Sequence, residues 1–320
     1  MRGRLSEAAH FARVPVRGKS NMFDRHRCAF LLLAVGTLAV STAYAQNVKK
    51  TGPGGAPYTV PRTPPGQLPA NTPFNKRDLS GHWVRVSPYE TFGAVPGGIP
   101  TGINGIDGDG GLKLEDAPFT KAGLEKFLHN IPSYGRRQAP PRLGNDPQML
   151  CDPMGVPRIL NGQVKDPHAT LEIGMFPDRV IQLVEWHHVW REIWTDGRKL
   201  PNIDAVEPKW NGYSVGHWDG DIFVVDSLGF DERTWLDHNG YPHTDQMRLE
   251  ERYRRVDVNT LELQMTVTDP EYYSKPFKSD LKVWKMDRKG AKDWDEQIFC
   301  VTSEEAKFNS LIRDAGVGKK

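Results

Sequence analysis

The sequence predicts a mainly β protein, an antiparallel closed barrel or strongly curved sandwich with a short helical insertion. Three observations carry this prediction. From residue 169 onward the chain breaks into short runs of alternating apolar and polar residues. Many of the junctions are turn pairs, Pro177-Asp178, Asp196-Gly197, Asp219-Gly220 and Val258-Asn259, the punctuation of antiparallel hairpins. No long helical pattern separates the runs, which favours strands adjacent in sequence also being adjacent in space.

The elements follow in order. Phe23 to Ala45 has the three zones of a secretory leader: basic Arg25 and Arg27, an apolar run from Cys28 to Val40, and Ala43-Tyr44-Ala45 before Gln46. The run is too short to span a membrane. Translation is expected to start at Met22, and the product to be periplasmic or secreted. Residues 46–77 are rich in Pro and Gly with little apolar periodicity, and read as a disordered arm. A single β-rich domain is expected over residues 78–320, with an insertion at about 93–148.

Structure is expected to start at Asp78, where Asp-Leu-Ser-Gly-His-Trp-Val-Arg-Val begins an alternating strand. The Asp107-Gly-Asp109 stretch lacks the sixth-position Gly of a calcium loop, Leu112 standing there instead. Ala117 to Asn130 reads as a helix, with Asp116 as cap and Pro118 in its first turn. Strands are then expected over 169–176, 179–186, 187–195, 212–218, 221–227, 247–257, 260–268, 279–286 and 294–300, with an amphipathic helix over 303–314.

Charge and cysteine usage narrow the function classes. Seven of 42 Lys and Arg and two of 40 Asp and Glu precede Gln46, leaving 35 against 38 and a net charge of −3. No basic stripe of the kind that binds nucleic acid is evident. Cys28 leaves with the leader, and Cys151 and Cys300 remain, two thiols that an oxidising compartment is expected to pair.

Gly81-x-Trp83 resembles the Gly-x-Trp that opens the first strand of lipocalin-type barrels, so the expected barrel is lipocalin-like (calycin-type). A second resemblance rests on longer motifs. Cys151-x-Pro153-x-Gly155-x-Pro157-Arg158, Gly212-Tyr-Ser-Val-Gly-His-Trp-Asp-Gly-Asp221, Arg233-Thr-Trp-Leu-Asp237 and Gly240-x-Pro242-His243 resemble a group of exported bacterial proteins of unassigned activity. It spans residues 78–300 and implies export and a shared fold.

Chemistry is concentrated between Ile181 and Asp226, where Trp186, His187, His188, Trp190 and Trp194 precede a His217-Trp218 pair. Alternation places Glu185, His187, Val189 and Arg191 on one face, and Trp186, His188, Trp190, Glu192 and Trp194 on the other. The plainer expectation puts the tryptophans in the core. A ligand cavity would instead be lined by Glu185, His187 and Arg191. Five of the eight His after residue 45 lie between positions 187 and 243.

Acid-base chemistry needs a His held by a carboxylate. His243 with Asp245, and His217 with Glu251, supply those residue types, so His217, His243 and Asp245 are the catalytic candidates. Glu185, His187, Arg191, Tyr213, Trp218, His238, Arg248 and Glu251 form the expected substrate-binding set, with Arg191 and Arg248 as anion anchors. Neighbouring His187 and His188 cannot both face one ion from a regular strand, and no His-x-His or His-Glu-x-x-His occurs, so no metal or other cofactor is expected. No Gly-x-Ser-x-Gly elbow is present, and Ser214 lies mid-strand.

The expected function is that of an exported enzyme acting on a small organic molecule by cofactor-independent His/carboxylate chemistry, as a lyase, isomerase or hydrolase in a barrel cavity. The alternative is a non-catalytic periplasmic small-ligand-binding protein, which needs the aromatic pocket and no poised base. A third reading is an assembly protein that uses its aromatic edges and Pro-rich arm.

Overall fold

The computed structural model describes residues 63–64, 66–86, 92–93, 117–132, 139–140, 143–161, 170–185, 188–289 and 300–301. Ten strands lie among them: β1 (Gly81–Arg85), β2 (Thr170–Met175), β3 (Arg179–Val184), β4 (Val189–Trp194), β5 (Tyr213–Asp219), β6 (Ile222–Leu228), β7 (Arg248–Asp257), β8 (Thr260–Thr268), β9 (Phe277–Lys278) and β10 (Lys282–Met286). β1 to β8 are neighbours in sequence order, and β10 pairs with both β8 and β1. Nine strands thus close a barrel, with the two-residue β9 added beside β8.

Alternating strand direction around a ring closes only for an even number of strands. With nine, one neighbouring pair must run parallel. That pair is β4 and β5, joined by the single bridge Trp194 to Val215, while the other neighbours on the ring are antiparallel. An eight-stranded lipocalin barrel needs no such seam.

Residues 195–212 make the connection, running back along the barrel so that β5 can start at the same end as β4. Asp196-Gly197 therefore opens a crossing and not the expected hairpin. The other three turn pairs do join antiparallel neighbours. Asp219 faces Ile222 across a tight turn, where Gly220 takes φ +60°.

Register fixes which residues face inward. Gln182 lies beside Arg191, Ser214 beside Ser227, Val225 beside Glu251 and Phe223 beside Tyr253, and all of these point into the barrel. Trp83, Leu171, Ile173, Ile193, Leu263 and Met265 fill the space around them and are buried. A Cβ on Gly216 would lie 2.4 Å from the Phe223 ring and 2.9 Å from an Ile193 methyl. Packing there is tight enough that only glycine fits between these side chains.

The end of the barrel where β4 and β5 begin is plugged by aromatic rings. Phe119, Phe127, Tyr241, Tyr273 and Phe277 stack with centroids 4.8–5.6 Å apart. Helix α1 (Lys121–His129) brings Phe127 to this cluster. It starts later than the sequence suggested: Thr120, not Asp116, is the N-cap, accepting a bond from the Gly123 amide. Residues 117–120 are spent on the Phe119 to Tyr273 bridge and the Thr120 amide bond to Tyr272. A second short helix, α2 (Arg158–Asn161), ties Asn161 to the Leu236 carbonyl at 2.7 Å.

The expected disordered arm is docked over its last part. The Gln67 amide donates to the Met286 carbonyl at 2.6 Å, and Leu68 exchanges two bonds with the Asn259 side chain. These bonds satisfy the end of β10 and the β7/β8 turn, which composition alone does not foresee. Cys151 and Cys300 form a disulfide, with Cα atoms 5.4 Å apart. Among the described residues no helix is long and apolar enough to cross a membrane. The leader, the Asp107/Asp109 loop and the expected helix at 303–314 lie outside the described residues, as does the expected strand at 294–300 apart from Cys300.

Candidate functional site

The barrel interior carries a polar layer. Arg191 Nη2 and Nη1 donate to the two oxygens of Glu251 at 2.8 and 3.0 Å. Nη2 also reaches Ser214 Oγ at 2.8 Å and Ser227 Oγ at 3.2 Å. The Tyr253 hydroxyl donates to Glu251 at 2.6 Å and accepts from Gln182 at 2.8 Å. Five successive strands, β3 to β7, are tied together by one guanidinium and one carboxylate. Where β4 and β5 lack a ladder, the Arg191 to Ser214 bond spans the gap.

Burial works against the Arg191 charge, but the adjacent Glu251 carboxylate outweighs it and moves the pKa above its ordinary value. Burial and Glu251 together push the Tyr253 hydroxyl well above its ordinary range. Tyr253 therefore remains a proton donor at neutral pH. The Arg191 Nε–H is the one donor of this guanidinium left without a partner among the described residues.

The charged face of β4 thus points inward and the tryptophans point outward, the reverse of the plainer expectation. Trp190 is 57% exposed. Arg191 is inside because it finds Glu251, Ser214 and Ser227 at its own level of the barrel, which removes most of the cost of burying it.

The acid-base pairs do not assemble. His217 and Glu251 lie on opposite faces of the wall: His217 is exposed, 4.0 Å from Asp226, while Glu251 is inside. His243 is buried, donating from Nδ1 to the Thr244 carbonyl at 2.9 Å, with Nε2 2.6 Å from the Thr234 hydroxyl. Burial lowers its pKa and keeps the ring neutral. Asp245 is exposed and bonded to Gln246, turned away from His243.

The remaining candidates are scattered. Glu185 accepts from the Thr170 hydroxyl at 2.5 Å, and Trp218 packs inward on Phe223. The Tyr213 hydroxyl donates to the Glu207 carbonyl. His238 is buried in the loop at the plugged end, and Arg248 is exposed on the outside of β7. Of the whole set, Arg191 and Glu251 bond each other directly, and Arg191 and Tyr213 share the lining of one groove. His187 lies outside the described residues.

A second buried charged group was missed in the sequence. Asp237 accepts from the Phe92 and Asn239 amides, each at 2.8 Å. Burial nevertheless pushes its pKa up to about 6, against those bonds and the charges of Arg158 and Lys282. Lys282, fully buried, donates to Asp280 at 2.7 Å, and burial lowers its pKa. The alternation of Lys282, Trp284 and Met286 was the available signal, since it puts Lys282 on the core face.

Outside the wall, a groove of about 410 Å³ lies over the β4/β5 seam. Trp190, Trp194 and Tyr213 line it together with Lys199 and Lys209, and Arg191 and Ser214 form its floor. A second groove of about 600 Å³ shares Arg198, Lys199, Leu200 and Val215 with it, and extends past Asp226 to Arg248 and Thr266. Both volumes are in the range of small-molecule sites. Among the described residues no group of three or more His, Cys, Asp and Glu is placed to hold a metal ion.

Fold and site together define a closed nine-stranded barrel with a polar layer inside and an aromatic, cationic groove outside its one parallel seam. No family model, curated protein or solved structure matches the chain.

Proposed function

We propose that the protein is an exported, non-catalytic binder of a small organic molecule, held in the groove over the β4/β5 seam. The observation that carries this reading is the groove's lining, in which three aromatic rings and two lysines surround a space of about 410 Å³. Aromatic walls with a few polar groups are the usual make-up of a ligand site. Export rests on the leader-like zones before Gln46. Catalysis has less support, because His217, His243 and Asp245 occupy three separate environments: the carboxylate beside His217, Asp226, is 4.0 Å away on the exposed face, and the ring of His243 bonds Thr244 and Thr234.

Tryptophan fluorescence of the full chain, titrated with a panel of small aromatic acids, amines and neutral sugars, tests the proposal. Saturable quenching that disappears in Trp190→Ala is expected, with mass spectrometry recovering the ligand unchanged. Chemical conversion of the ligand, or saturable binding indifferent to Trp190→Ala, overturns the reading.

A further inference from the structure

Building on that reading of the groove, we propose that its ligand is an aromatic carboxylate, with the ring against Trp190 and the carboxylate met by Lys199 and Lys209. The charges around the groove favour an anion. Arg191 is neutralised by Glu251. Arg198 is held by Asp196, with contacts down to 2.6 Å, and Glu192 faces Arg179 at 3.4 Å. Lys199 and Lys209 are exposed and have no ion pair among the described residues. Arg179 also serves Asp178 at 3.1 Å, so Glu192 offsets part of the charge, but the groove still presents two ammonium groups without an ion pair among the described residues.

The choice of carboxylate follows from the kind of cation on offer. The guanidinium forks suited to bidentate capture of a phosphate are already occupied, and what is left are two ammonium point charges. Lys209 is steadied in place, its ammonium 4.2 Å from the Tyr213 ring.

The ring is assigned by elimination among the three aromatic walls. Trp194 is covered by the Arg198 guanidinium at 3.7 Å, with Arg179 at 5.5 Å. Tyr213 is covered by Lys209. Trp190 has no cation over it among the described residues and keeps 57% of its surface exposed. Its open face gains from a planar ring both by area and by stacking.

Isothermal titration calorimetry on the full chain with 2-naphthoate, 2-naphthamide, cyclohexanecarboxylate and 2-naphthyl phosphate tests the assignment. Naphthoate is expected to bind saturably, and the other three at least about tenfold more weakly. Lys199→Gln with Lys209→Gln should weaken naphthoate by about tenfold or more while leaving naphthamide unchanged, and Lys209→Arg should restore most of the loss. Both lysines are exposed, so these variants fold.

Naphthamide binding as tightly as naphthoate, and lost in Trp190→Ala, overturns the carboxylate while sparing the groove. A tighter phosphate ester does the same. No saturable naphthoate binding overturns the inference, and the reading beneath it falls as well only if nothing in the wider panel depends on Trp190.

Discussion

Replacing Arg191 by Met isolates the value of the polar layer. Arg191 and Glu251 are both almost wholly inaccessible, with side-chain exposures of 2% and 0%. Losing the guanidinium leaves the carboxylate with the Tyr253 hydroxyl as its one remaining partner among the described residues, in a dry interior. Breaking a buried pair in this way costs about 3–5 kcal/mol, a large part of the stability of an ordinary domain. Removing both charges is different. In Arg191→Met with Glu251→Leu, Ser214 and Ser227 still bond each other at 2.9 Å, and Gln182 still bonds Tyr253 at 2.8 Å. The serines stay paired and only the Tyr253 O–H loses its acceptor, so the double variant should lie within about 2 kcal/mol of the parent. Urea denaturation gives both numbers. Amide hydrogen exchange should show β4 and β5 opening first in the single variant, since one bridge is all their backbones share. A single variant within about 1 kcal/mol of the parent, or a double variant no better than the single, would refute the argument.

Three further outcomes are expected. Asp237 has a folded pKa of about 6 against an ordinary 3.8, so its contribution to stability is full below pH 4 and is lost as pH rises through 6. The stability difference between parent and Asp237→Asn should fall by about 2 kcal/mol from pH 4 to pH 7, and a flat or rising difference in denaturation curves would contradict this. Gly216→Ala forces a methyl to within 2.4 Å of Phe223 and should cost about 1–3 kcal/mol; thermal unfolding indistinguishable from the parent would mean the barrel has room there. Reducing the Cys151–Cys300 disulfide, which spans 149 residues of sequence, should destabilise by about 2–5 kcal/mol. Cys151→Ser with Cys300→Ser should reproduce that loss and no longer respond to reductant.

Strand positions were legible where alternation met a strong turn. The β5/β6 and β7/β8 hairpins fall close to where Asp219-Gly220 and Val258-Asn259 put them. Which face points inward was not legible, because alternation sorts residues into two sets without saying which set is inside. Arg191 is buried because Glu251, sixty residues later, arrives at the same level, and only register across the three pairings from β4 to β7 reveals that. The density of His in the sequence misled for a related reason. His217 and Glu251 are the residue types an acid-base pair needs, yet they stand on opposite sides of one wall. The parallel seam was hidden because Asp196-Gly197 reads like any hairpin turn. Gly212, in contrast, explains itself once the fold is known: at φ +62° a Cβ would meet the Leu228 carbonyl at 2.7 Å.

An odd ring cannot lose its defect by point substitution. Only gaining or losing a whole strand would restore strict alternation, so the parallel pair can migrate around the perimeter but not vanish. Wherever it sits, the chain must climb the outside of the wall to restart, and a climbing segment has two flanks. Here those flanks are the two grooves, with Arg198, Lys199 and Leu200 common to both. The external cleft is therefore a consequence of strand count, and the side chains of residues 190–215 decide only what it holds.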